Sequence, residues 1–130
     1  MNEFIEAYNK IISENDEMNR PEYDKAISTL EENGYSPLTG RMWDDGYATY
    51  WGKKYSENIL FVIKTMGSNY EKESNGGSYA TKLHVLNCEI VFTKVNKATL
   101  FYSDARGSVD QALSQLNSAI EEIKKEFTNN

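Results

Sequence analysis

The chain has 130 residues, of which 39% are hydrophobic and 26% charged. That is the size of one ordinary domain with enough apolar residues for a single core, and it excludes the disordered class. The net charge is −6, and a lone cysteine, Cys88, leaves no partner for an intramolecular disulfide and fits a reducing compartment.

The charge is unevenly placed. Residues 1–33 hold nine acids against three bases, the whole of the net charge, while the other 97 residues hold eleven of each. A localised acidic segment steers a basic partner and repels polyanions. Its members Glu14, Asp16 and Glu17 are candidates for that role. The N-terminus carries acids from Glu3 onward and no apolar run of signal-peptide length. The longest apolar stretch, Ile59 to Ile63, is far too short to span a bilayer. The expectation is a cytoplasmic protein with no membrane association.

In chain order, Phe4, Ile5, Tyr8, Ile11 and Ile12 recur at helical spacing and predict a helix near Glu3 to Asp16. Asn19 reads as the cap of a second helix, with Pro21 in its first turn and Glu22 three residues after the cap. Tyr23, Ala26, Ile27 and Leu30 form its stripe, and Asn33-Gly34 ends it. Residues 34–46 read as a loop, with three glycines, a proline and the turn signal Asp44-Asp45-Gly46. Strands follow from about Tyr47 to Lys54 and from Asn58 to Met66. The second is apolar on both faces and reads as central. Residues 67–78 read as a polar loop. A third strand covers roughly Tyr79 to Thr93, Asn96-Lys97 makes a turn, and Ala98 to Tyr102 is the fourth strand. Ser108 with Gln111 reads as a capping box that opens the last helix. The stripe of that helix runs from Val109 to Phe127, and Lys124-Lys125 suit its C-terminal dipole. The pattern predicts a single α+β domain over residues 1–130: two N-terminal helices, a four-stranded antiparallel meander, and a C-terminal helix packed on the sheet.

Chemistry-bearing constellations are few. His84 and Cys88 are single residues of their kinds. On a regular strand they share a face but stand about 13 Å apart, at roughly 3.3 Å per residue, so one metal cannot take both. No nucleotide-binding or nucleophile-elbow motif is present. Asp44 and Asp45 are turn formers rather than an acid/base pair. The expectation is therefore no metal, no cofactor and no catalytic residue. Nucleic acid is disfavoured because the bases are scattered and form no stripe.

Two features point to contacts. Five of the sixteen Phe, Trp and Tyr residues fall in thirteen positions: Trp43, Tyr47, Tyr50, Trp51 and Tyr55. Aromatics with a polar tip are enriched at interfaces. Strand alternation splits the group, with Tyr47, Trp51 and Tyr55 on one face and Tyr50 on the other. Trp43 precedes the strand and has no obvious core to join. The second feature is Asp104-Ala105-Arg106-Gly107-Ser108, where Arg106 and a helix start could hold an anion. The leading expectation is a non-enzymatic protein-binding module that meets a basic surface. Its small, acidic, cofactor-free character suits an inhibitor, accessory or immunity-type protein of a phage or mobile element. The alternative is a binder of a nucleotide-like anion, with Arg106 taking the charge and aromatics stacking. An edge strand or the 67–78 segment offers a place for a homo-oligomer contact.

Overall fold

The computed structural model describes residues 2–7, 20–40, 43, 46, 48–72, 76–94, 98–104 and 106–128. Residues 2–7 (α1) are helical and exposed; Phe4 keeps 74% of its surface accessible and Ile5 50%. Helix α2, Pro21–Glu32, begins after an N-cap at Arg20 whose side chain makes no capping bond. This corrects the expected Asn19 cap, which lies outside the described residues. Arg20 instead lays its guanidinium over the Tyr23 ring (4.1 Å) and approaches Asp24 (3.7 Å). The other end is as expected. Gly34 has a positive φ of 88°, its N–H donates to Glu31 O, and the Tyr35 N–H donates to Leu30 O. Only a residue without a β-carbon adopts that backbone cheaply, and the paired bonds satisfy carbonyls that the helix leaves open.

Five strands, not four, form one antiparallel sheet in sequential order: β1 Ser36–Pro37, β2 Ala48–Ser56, β3 Ile59–Lys72, β4 Ser78–Phe92 and β5 Ala98–Ser103. The extra strand lies in the segment read as a loop. Ser36 pairs with Gly52 and Pro37 with Trp51. A two-residue strand with a proline carries no hydrophobic alternation, and it sits at the sheet edge, where a missing donor is tolerated.

A second correction concerns residues 67–78. Most of that polar stretch is strand: residues 67–72 of β3 pair with residues 78–83 of β4, in a ribbon that runs on past Ala48, the end of β2. Backbone ladders form without apolar side chains, so a polar ribbon leaves little trace in hydropathy.

A third correction follows from a bulge. Lys64 pairs with Asn87 but Thr65 pairs with Val85, which leaves Leu86 without an opposite residue. One extra residue reverses the facing of everything beyond it. Val85 and Cys88 therefore both point into the core, and His84 lies on the other face. His84 and Cys88 do not share a face as simple alternation predicted.

Helix α3, Val109–Thr128, packs with α2 on one side of the sheet. The core between them joins Leu30, Trp51, Phe61, Ile63, Val85, Ile90 and Leu116. The predicted capping box is formed: the Ser108 N–H donates to Gln111 Oε1 (3.1 Å) and the Gln111 N–H donates to Ser108 Oγ (3.2 Å). Gly107 just before it exchanges backbone bonds with Val85. A β-carbon at Gly107 would overlap the Gln111 carboxamide, so the glycine leaves room for the cap. Ser108→Ala should cost about 1 kcal/mol of stability, measured by urea denaturation with an unchanged m-value. A change within error would show that the cap carries no energy.

Candidate functional site

The aromatic cluster divides between two sides of the sheet. Trp51 is 5% exposed, and its indole N–H donates to Thr65 Oγ1 (2.9 Å), whose hydroxyl donates to Thr49 O (3.2 Å). Thr65 is fully buried, so the relay gives a buried indole and a buried hydroxyl each a partner. Trp51 is thus a core residue and is not offered to a partner, a correction to its expected role. Tyr55 also turns inward and stacks on Phe61, with ring centroids 5.0 Å apart.

Tyr50 points the opposite way, as alternation requires. Trp43 joins it there. The Trp43 N–H donates to Gly40 O in a tight turn, and its ring lies 5.3 Å from that of Tyr50 at 59°. Lys64 Nζ stands 5.2 Å from the Tyr50 ring on the neighbouring strand. Trp43 is half-buried, so its packing partner is the outer face of the sheet rather than the core.

Register makes the rest of that face explicit. One row runs Ala48–Met66–His84, the next Tyr50–Lys64–Asn87, and the next Gly52–Val62–Glu89–Tyr102. Gly52 lacks a side chain where Leu38 crosses: a β-carbon there would meet the Leu38 isobutyl group. Val62 is fully buried yet outside the core cluster between sheet and helices. Tyr102 is 55% exposed. Because α2 and α3 both lie on the other side, this face presents aromatic rings, a thioether, an imidazole, an amide and both signs of charge together. Sequence reading missed Tyr102, Lys64 and Met66. Tyr102 alternates with the half-buried Phe101, and that alternation was the signal that could have found it.

Arg106 is exposed. Four N–H groups near it are already engaged: Gly107 with Val85 O, Ser108 with Gln111 Oε1, Gln111 with Ser108 Oγ and Ala112 with Ser108 O. An anion that used those four donors would have to compete with these bonds. Tyr47, Glu14, Asp16 and Glu17 lie outside the described residues, as do Asp44 and Asp45.

The buried titratable pair is Cys88 and Tyr35. Burial, and next the Glu89 carboxylate, push the Cys88 thiol up to about 11. Burial, and next Cys88, hold the Tyr35 phenol well above its usual value. The thiol donates to Gln115 Oε1 at 3.8 Å. Such a thiol is a poor nucleophile, because the thiolate is the reactive form. Among the described residues no three His, Cys, Asp or Glu side chains are grouped as metal ligands, and no helix is long and apolar enough to cross a membrane. No protein-family model, no curated protein and no solved structure matches the chain.

Proposed function

We propose that this is a non-enzymatic protein-binding module whose contact face is the outer face of the sheet. The observation that carries the reading is the gathering of Trp43, Tyr50 and Lys64 with Tyr102, Glu89, Asn87 and His84 on the side that α2 and α3 leave uncovered. Large rings bordered by polar and charged groups are the composition of interface hot spots. The acidic segment of residues 1–33 acts at longer range, drawing in a partner with a basic surface and raising the rate of encounter. An inhibitor, accessory or immunity-type protein works in this way, by occupying a surface rather than by turning over a substrate. The anion-binding alternative has less support, since four of the N–H groups around that helix start, those of Gly107, Ser108, Gln111 and Ala112, are already bonded within the protein.

Trp43→Ala combined with Tyr102→Ala should weaken capture of the partner by about 2 kcal/mol or more, chiefly through faster dissociation. Charge reversal at Glu14, Asp16 and Glu17 should instead slow association and flatten its salt dependence. The measurement is surface-plasmon resonance against the protein that the wild-type chain retains from its source cells. Unchanged rates for the double aromatic variant, with the fold intact by circular dichroism, would rule out the outer face.

A further inference from the structure

The two edges of the sheet are treated differently. β1 is two residues long and contains Pro37, which blunts it as a template for strand addition. β5 is the opposite edge. Among the described residues it pairs with β4 alone. Its sequence, ATLFYS, holds no charge and no proline. One side of residues 98–102 thus offers backbone groups that only another strand can pair in a ladder.

The helix layer beside this edge is shaped to match. Ile90 pairs with Phe101 but Val91 pairs with Thr99, so Leu100 is bulged out of the ladder. The bulge lets consecutive apolar residues, Leu100 and Phe101, both pack toward the helices. Phe101 then forms one wall of an open groove of about 420 Å³ whose other wall is α3, through Ser114, Gln115, Ser118, Ala119 and Glu122. Small side chains at Ser114, Ser118 and Ala119 let a second backbone come close.

We infer that the β5 edge and the α3–β5 groove form a two-fold interface with a second copy of this chain. Two β5 strands related by a two-fold axis are antiparallel, so the sheet continues across the interface and both helix layers fall on the same side. The same axis sets α3 antiparallel to its counterpart. If the axis passes near Ser118, the position opposite Glu122 is Ser114 of the second copy. A carboxylate, already paired with Lys125, then meets a hydroxyl donor rather than another carboxylate. Electrostatics do not oppose self-pairing here, because residues 34–130 carry equal numbers of acids and bases and the single acid of the groove, Glu122, is paired with Lys125. The 20 residues of α3 run ~30 Å, long enough with the paired strands to reach the ~1,000 Å² that a specific interface needs. This inference does not rest on the outer-face reading, since it concerns the edge and the helix side of the sheet.

Sedimentation equilibrium of the full chain, from micromolar to sub-millimolar concentration, should give twice the 14.9 kDa chain mass. Ser118→Arg and, separately, Thr99→Lys should each raise the dimer dissociation constant more than about tenfold, through bulk and like charge at the axis. A parallel readout does not depend on those variants folding. In a Cys88→Ala background, Ser118→Cys should form an intermolecular disulfide rapidly under mild oxidation, while Asp110→Cys should not. A chain that stays monomeric throughout overturns the inference and leaves the β5 edge to a strand from another protein. A dimer indifferent to both substitutions, or a Ser118→Cys chain that fails to cross-link, overturns it as well.

Discussion

Trp51→Ala is expected to lower the stability of the fold by about 3–5 kcal/mol, the range for removing a buried large aromatic. Trp51 sits on β2 opposite Ile63, within a core that also takes in Leu30 from α2 and Leu116 from α3. Its loss would leave a cavity where the sheet meets the helix layer, and a cavity bounded by a sheet collapses poorly. A second term comes from the hydrogen-bond relay. Thr65→Val keeps the shape of the side chain but takes away the acceptor for the Trp51 indole, and it should cost about 1–3 kcal/mol. Trp51→Phe removes the donor while keeping most of the packing. Without the indole N–H, Thr65→Val takes a donor from the Thr49 carbonyl but no longer orphans the indole, so the double variant should cost less than the two single costs together. Urea denaturation of the four proteins measures this directly. Strict additivity would mean that the relay carries no coupling and that Trp51 is a packing residue alone.

The Trp51 result bears on how much of the molecule was legible in the chain. Features set by neighbours in sequence were readable. Asn33-Gly34 ends α2 because a glycine takes the left-handed backbone there, and Ser108 with Gln111 opens α3 because the two groups lie three residues apart on the same turn. The alternation of Tyr50 against Trp51 was readable too, and with it the division of the aromatic cluster. Features set by distant pairing were not. The bulge at Leu86 depends on where β3 and β4 meet, and nothing in the composition of residues 83–88 marks it. It nevertheless decides that His84 and Cys88 lie on opposite faces. β1 exists only because β2 offers an edge to Ser36 and Pro37. The ribbon beyond Met66 is held by backbone pairing between polar segments, which hydropathy does not register.

The candidate site divides along the same line. Trp43 was singled out because no core was in view for it, and its partner proves to be Tyr50, which its own strand turns outward. Tyr102 escaped notice because its importance comes from register, three strands away from Gly52 in the same row. A surface assembled across strands is visible only once the pairings are known.

Alkaline pH should destabilise the protein before the backbone is chemically harmed, and the cause is the Cys88–Tyr35 pair. Folding raises the thiol from an ordinary value of 9.0 to about 11. Below about pH 9 both states hold the proton and the thiol contributes no pH dependence. Between about 9 and 11 the unfolded chain has released it while the folded chain retains it. The folded state then binds more protons, so stability falls as pH rises. At 1.36 kcal/mol per unit, the loss is on the order of 2–3 kcal/mol by the time the folded thiol itself titrates. Tyr35 adds a further loss of the same sign at higher pH, because its phenol is also held up by burial. Denaturation curves recorded from about pH 8 to about pH 11 should therefore slope downward in the wild type. In Cys88→Ala the slope between about 9 and 10 should largely vanish, and the remaining decline should begin only as Tyr35 of the unfolded chain ionises near 10. Adding Tyr35→Phe should flatten that part as well. The comparison concerns slopes, so the packing cost of each substitution, which is the same at every pH, drops out. A Cys88→Ala profile parallel to the wild type would mean that the thiol gains no protection from the core, and that Cys88 is more open to solvent than its place beside Gln115 and Tyr35 implies.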